Sequence, residues 1–389
     1  MKKILYVCCI NPFLTVTGGH QRSYLQVKLF KTFLHVDVLL LANNTDEPIS
    51  RDDVIQIFAN YDGNNKLWDK RLKQFFSLLP LSHFFVCHKE KICQEALTSQ
   101  LKKNDYDYIF FRYINSYLKC GAPDLPNMII DIDDLPWQNS ECIFSNANNS
   151  IAKRLYHKYR AFWCKYFCKR LFERFRVVSF SNEQDMIGQN SAFLPNIPII
   201  QSEQELIINE PNLQEPTILF IGSLSHVPNY EGMNHFIKFI WPKVLNKFPK
   251  VRLKIVGRGL PEDLYHAWSG EPNIELWGFV ESLSQIYSKS TFVISPIYSG
   301  AGTNIKVLEA LSYRKPCIIS RFSWRGFETE LKNGEDLMVC VTDEEYVTKL
   351  CEAIDNPESV RRMAEHGHRQ VKRYYSEDRV LSVLKSIVG

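Results

Sequence analysis

The sequence predicts an α/β protein of two doubly wound, Rossmann-like domains facing a central cleft, and three observations lead there. A chain of 389 residues is too long for one ordinary core and suits two. Short apolar runs alternate with helical stretches in both halves, as in parallel sheets covered by helices. Between the two series lies the polar segment 201–216, with Pro211 and Pro216, which reads as a linker. The expected organisation is 1–200, a linker over 201–216, a second domain over 217–375, and a closing helical segment over 376–389. Two such sheets joined by a linker leave a cleft, and open α/β sheets bind ligands beyond the carboxyl ends of their strands.

In the first half a strand over Lys3 to Ile10 leads into a loop ending at Gly18-Gly19, and a helix follows from about His20 to Leu34. The runs His35 to Leu41, Tyr106 to Tyr113, Met128 to Ile132, Arg176 to Phe180 and Ser191 to Leu194 read as further strands, the most apolar of them buried on both faces. The stretch from about Asn44 to Asn104 is less regular and receives no firm element. In the second half, strands are expected at Thr217–Gly222, Val251–Gly257, Ile274–Trp277, Thr291–Pro296, Pro316–Ser320 and Asp336–Cys340. Helices are expected near Glu231–Asn246, Pro261–Trp268, Ser282–Ser288, Asn304–Tyr313, Asp343–Ala353, Ser359–Tyr374 and Ser376–Ile387.

Composition narrows the function classes. Hydrophobic content of 45% and charge of 23% are those of a folded chain, not a disordered one. A net charge of +4 suits an anionic small ligand or membrane surface without demanding nucleic acid. The eleven cysteines show no zinc-site spacing, and Cys8, Cys9 and Cys317 sit in apolar runs where free buried thiols are expected. The run Ile4-Leu5-Tyr6-Val7 after Met1-Lys2-Lys3 is far shorter than a signal or membrane segment, so the expected compartment is the cytoplasm.

The most informative segment is Pro296-Ile297-Tyr298-Ser299-Gly300-Ala301-Gly302-Thr303-Asn304-Ile305-Lys306-Val307-Leu308-Glu309-Ala310. A strand end, a small-residue loop and a helix start present backbone N–H groups where the helix dipole favours an anion. Gly300 and Gly302 let the backbone approach that anion, Lys306 adds a cation in the first turn, and Glu309 follows at i+3 on roughly the same face.

This segment resembles the donor-binding signature of family-four retaining glycosyltransferases (glycosyl transferases group 1), in the branch with a Gly-Ala-Gly-Thr-x-Ile-Lys-x-Leu-Glu-Ala run. Phe220-Ile221-Gly222-Ser223 with Pro228-Asn229, Ile255-Val256-Gly257-Arg258-Gly259 and Leu276-Trp277-Gly278-Phe279-Val280 resemble further loops of that branch. The resemblance is strong over about 217 to 326 and weak over the N-terminal half. It implies the GT-B fold, with the last helix returning to the N-terminal domain. It also implies that Lys306, Gly302, Thr303 and Asn304 hold a diphosphate, Glu309 the ribose and Val280 the base edge, with Ser223 and Arg258 nearby. A carboxylate is a bidentate acceptor for a diol, which suits Glu309 to that task.

Two departures stand out. The family's second glutamate, eight positions before Glu309, is Ala301 here, and the usual arginine and lysine after the first strand of this half are missing, the arginine position being Ser223 and the lysine falling near Glu231. Phosphate binding is therefore expected to lean on Lys306, with Arg258. In the N-terminal half, Thr17-Gly18-Gly19-His20-Gln21-Arg22 matches the family's glycine-rich loop, so Gly19 and His20 are expected toward the donor. Arg22 is either a first-turn surface charge or a phosphate contact. Asp131, Asp133 and Asp134 crowd one strand end; Asp133 is expected to touch the donor sugar, with N-capping by Asp134 the alternative. No metal is expected, because the Asp-x-Asp motif acts with metal in a different glycosyltransferase fold.

The stretch Lys153 to Arg176 holds nine Lys or Arg and one Glu, interleaved with aromatics. It should be helical, and either packs on its own sheet or lies peripherally on an anionic membrane at its inner face.

Together these imply a retaining, metal-independent glycosyltransferase with Lys306, Asp133 and His20 at the reaction. It would use a nucleotide-diphosphate sugar as substrate, need no cofactor, and act on a cell-surface glycan or lipid-linked acceptor. The alternatives are a nucleotide-sugar 2-epimerase of the same fold and a catalytically silent partner subunit.

Overall fold

The computed structural model describes residues 1–15, 17–43, 47–59, 90–145, 149–199, 214–280, 282–300 and 302–389. They form two compact units, Met1–Pro195 with Val380–Gly389, and Asn196–Arg379. The chain leaves the first unit after Pro195 and rejoins it at Val380. Of the expected linker, 201–213 lies outside the described residues.

The first unit contains β1 (Lys3–Cys8), α1 (Gly18–Phe30), β2 (His35–Asn43), β3 (Val54–Ala59), α2 (Lys91–Lys103), β4 (Tyr108–Arg112), α3 (Ile114–Lys119), β5 (Met128–Ile132), α4 (Gln138–Ser145), α5 (Ile151–Phe172), β6 (Val177–Phe180) and β7 (Ser191–Phe193). Its parallel sheet has the order β3-β2-β1-β4-β5-β6-β7. Ile4 to Cys8 have no exposed surface, since helices cover both faces of a central parallel strand. Thr17 starts α1 by accepting from the His20 amide at 3.4 Å. Among the described residues β3 pairs with β2 alone, and its run Val54-Ile55-Gln56-Ile57-Phe58-Ala59 is apolar at five of six positions, a strand signal inside the stretch left irregular in the sequence.

The second unit contains β8 (Thr217–Ile221), α6 (Val227–Phe239), α7 (Trp241–Lys247), β9 (Arg252–Val256), α8 (Glu262–Ser269), β10 (Ile274–Leu276), α9 (Leu283–Ser288), β11 (Phe292–Ser295), α10 (Ile305–Ser312), β12 (Cys317–Ser320), α11 (Arg321–Trp324), β13 (Met338–Cys340), α12 (Asp343–Asp355) and α13 (Pro357–Tyr374). The final helix, α14 (Glu377–Ile387), begins here. Its later turns group with the first unit, where Arg176 donates to the Gly389 carbonyl at 3.1 Å. The second sheet is also parallel, in the order β10-β9-β8-β11-β12-β13.

One expected helix is two. The stretch Glu231–Asn246 breaks at Ile240, because Pro242 in the first turn of α7 has no N–H and crowds the preceding turn. Pro228 likewise sits in the first turn of α6, where a missing N–H costs nothing because the first-turn amides have no partner within the helix.

Each sheet reverses its strand order once, between β1 and β4 and between β8 and β11. Those two carboxyl ends are where the fold leaves room for ligands. The ten described cysteines are free, with Cys8 and Cys317 buried and Cys9 partly so. Among the described residues no helix is long and apolar enough to cross a membrane.

Candidate functional site

At the β8–β11 reversal, the loop 296–304 carries the chain from β11 to α10. Gly300 and Gly302 adopt φ of 122° and 74°, conformations a side chain would strain. Asn304 sits at the N-cap of α10 without a side-chain capping bond, so its side chain does not close that end of the helix. Ala301, where the family's second glutamate would stand, lies outside the described residues.

Lys306, in the first turn of α10, is partly buried. Its Nζ donates to Asn229 Oδ1 at 2.6 Å and lies 4.8 Å from the Phe220 ring centre. Asn229 Nδ2 in turn donates to the Ser223 carbonyl at 2.8 Å. A Cβ at Gly222 would stand 3.0 Å from Lys306 Nζ, so glycine there leaves the ammonium its place. Burial pushes the Lys306 ammonium down to about 7, against an opposing pull from Glu309. Glu309, one turn on, is 5% exposed and accepts from the Tyr287 hydroxyl at 3.0 Å. Burial pushes its carboxyl up to about 7, with Tyr287 and Lys306 opposing. A cation and an anion are thus both poised near neutrality at a strand end, an arrangement typical of functional sites.

The neighbouring loops are stitched to this one. The amides of Leu224 and Ser225 donate to the Arg258 carbonyl at 2.8 and 3.2 Å, and the Gly257 amide to the Gly278 carbonyl at 2.7 Å. A Cβ at Gly257 would lie 1.9 Å from the Gly222 carbonyl oxygen, which is why this close approach takes glycine. The Arg258 guanidinium stacks 3.8 Å from the Phe279 ring, beside the half-buried Val280. Thr303 Oγ1 accepts from Asn196 Nδ2 at 2.8 Å. Ser223, Arg258 and Val280 therefore lie on loops joined by backbone bonds, and the carbonyl of Ser223 is tied through Asn229 to Lys306.

In the first unit, at the β1–β4 reversal, a buried charge network forms. Asp131 accepts from Arg22 Nε and Nη2 at 2.8 and 2.6 Å, Gln26 at 2.7 Å and Ser179 at 2.6 Å. Burial pushes the Asp131 carboxyl up, but the Arg22 and Arg112 guanidiniums outweigh it and hold it well below the usual carboxylate range. Arg22 is 3% exposed and also donates to the Leu194 carbonyl at 2.8 Å, so it is not the first-turn surface charge the sequence suggested. Asp133 accepts from Arg112 Nη2 at 3.0 Å and from the Tyr113 hydroxyl at 3.1 Å. A Cβ at Gly19 would stand 2.9 Å from that hydroxyl, so Gly19 and Asp133 meet across Tyr113. Tyr113 has φ 68° and ψ 152°, a strained conformation of the kind that clusters at working sites. His20 Nδ1 lies 2.7 Å from Thr17 Oγ1, on the helix start.

Residues 215–356 match the family described as glycosyl transferases group 1. The chain has the GT-B fold. Sucrose-phosphate synthase from Thermosynechococcus elongatus is similar over 100% of this chain and 98% of its own, at 14% identity and a TM-score of 0.71. WaaG, a glycosyltransferase involved in lipopolysaccharide biosynthesis, matches over 100% and 98% at 13% identity and a TM-score of 0.60. Anabaena HepE in complex with UDP and glucose matches over 99% of both chains at 12% identity and a TM-score of 0.64. In sequence, an uncharacterized 44.6 kDa protein in the cps region of Klebsiella pneumoniae is 23% identical over 398 residues, covering 98% of each chain.

Sequence reasoning missed Tyr287, Asn196 and Arg112. The first two carry no local mark. Arg112 did, because a charged side chain closing the buried run Tyr108–Phe111 demands a buried partner.

Proposed function

We propose that the chain transfers a sugar from a nucleoside-diphosphate sugar, with retention of anomeric configuration, to a glycan or lipid-linked acceptor in surface polysaccharide assembly. The observation that carries this is the Lys306–Glu309 pair, a cation and a carboxylate one turn apart, both shifted toward neutrality, in the first turns of α10, whose N-cap Asn304 makes no side-chain capping bond. The diphosphate would lie on the amides of Gly302 to Asn304 with Lys306 beside it. Glu309 would accept the ribose hydroxyls, and the backbone near Val280 would meet the base. Charge growing on the leaving diphosphate is stabilised by a fixed ammonium and helix start. The departing phosphate itself can take the acceptor proton, so the protein's work is orientation and water exclusion. Asp133, held by Arg112 and Tyr113, and His20 are the candidate contacts to the sugar. The polysaccharide assignment draws on the WaaG and cps-region relatives, and the donor class on HepE with UDP and glucose.

A thermal-shift screen against UDP, GDP and their sugars tests this. A ligand at a hundred times its Kd should raise the unfolding midpoint by about 5–10 °C. NMR of the product then reads the anomer. No stabilisation by any nucleoside diphosphate would end the donor-site assignment.

A further inference from the structure

Helix α5 has two apolar faces. One turns inward, with Ala161, Cys164, Cys168, Leu171 and Phe172 buried. The other is open: Ile151 is 75% exposed, Leu155 60%, Tyr159 36%, Phe162 63% and Tyr166 38%. Their spacing of four, four, three and four places them on one stripe, about 22 Å long at 1.5 Å per residue. Trp163 joins its aromatic members, with ring centres 5.3 Å from Phe162, 5.7 Å from Tyr166 and 6.3 Å from Tyr159. Exposed Lys158, Lys165 and Lys169 run along one edge by helical spacing, and Arg170 stacks 4.5 Å from Tyr166 on the other. No Asp or Glu occurs between Ile151 and Phe172.

An apolar stripe this long is unfavourable in water, and its cationic borders specify what covers it. We propose that α5 lies flat in the interface of an anionic phospholipid bilayer, its stripe at the acyl boundary and its lysines on headgroup phosphates. Tyrosine and tryptophan suit that boundary, because each has an apolar body and a polar tip. A second copy of the chain would set lysine edges against each other with no carboxylate in either helix to pair them. Nucleic acid would leave the stripe itself uncovered. The inference is independent of the donor assignment, because it rests on an exposed face of α5, which carries none of the donor-site residues.

Co-sedimentation of the full chain with vesicles tests it. The protein should pellet with phosphatidylcholine–phosphatidylglycerol vesicles and far less with phosphatidylcholine alone, and high salt should release it. Lys158→Gln, Lys165→Gln and Lys169→Gln together should weaken binding about 100-fold. Leu155→Ser with Phe162→Ser should lower it at least as much. Both variants should keep the wild-type unfolding midpoint, which separates lost docking from lost folding. Wild-type protein left in the supernatant with anionic vesicles overturns the proposal. So does undiminished binding by both variants, or a dimer that the serine variant dissociates without any change in vesicle binding. Lysine-dependent binding of a DNA oligonucleotide without vesicle binding overturns it as well.

Discussion

Replacing Lys306 by Met separates a working charge from a structural one. In the folded protein burial lowers the ammonium from 10.5 to about 7. The unfolded chain therefore binds more protons than the native one between about 7 and 10.5, so stability rises with pH across that window and is lowest below it. At about 1.4 kcal/mol per tenfold, the displacement corresponds to at most about 5 kcal/mol of strain from keeping the charge buried. Methionine fills similar space without the charge. It forfeits a hydrogen bond to Asn229, about 1–3 kcal/mol, and leaves Glu309 to take up a proton. The net expectation is a gain of about 1–2 kcal/mol at pH 7, or about 2–8 °C in the midpoint. Sugar transfer should fall about 100-fold or more, because a preorganised cation at the leaving group is gone. The assay is a melt of both proteins at pH 7 and pH 10, with turnover measured beside it. The wild type should gain stability between those pH values and Lys306→Met should lose most of that gain. Full turnover in the variant, or a lowered midpoint at pH 7, refutes the reasoning.

Glu309→Gln should leave the fold intact and weaken the preferred nucleoside diphosphate about 10- to 100-fold by calorimetry, the worth of a charged acceptor on a diol. The Glu309 carboxyl is raised from 4.5 to about 7, so its contribution to stability is full below 4.5 and lost as pH rises through about 7; the glutamine variant should flatten that fall in pH-dependent melts. Gly257→Ala should cost about 1–3 kcal/mol in urea unfolding, because the added methyl meets the Gly222 carbonyl at 1.9 Å. Asp131→Ala should cost about 3–5 kcal/mol by leaving Arg22 and Arg112 buried without their carboxylate. In the wild type the stability from Asp131 is present above 3.8 and lost as pH falls through its lower folded value, so the variant should show a weaker acid transition.

The sequence by itself determined the α/β alternation in both halves and the loop 296–304 leading into α10. Both are local: apolar runs of strand length, helical spacing, and glycines where φ turns positive can be read within a few residues. It also pointed to Lys306 and Glu309 through their spacing on one helix. Tertiary structure alone decided what those side chains do in the fold. Lys306 meets Asn229 from 77 positions away, and Arg22 meets Asp131 across 109, distances over which no periodicity carries information. The break at Ile240 and the strand β3 were local features that the sequence carried, the first in Pro242 and the second in the apolar run Val54–Ala59. In α5 the sequence showed aromatic and basic residues all around one helix. Which apolar face goes inside is set by the sheet it packs on, and only that choice left the stripe from Ile151 to Tyr166 facing outward.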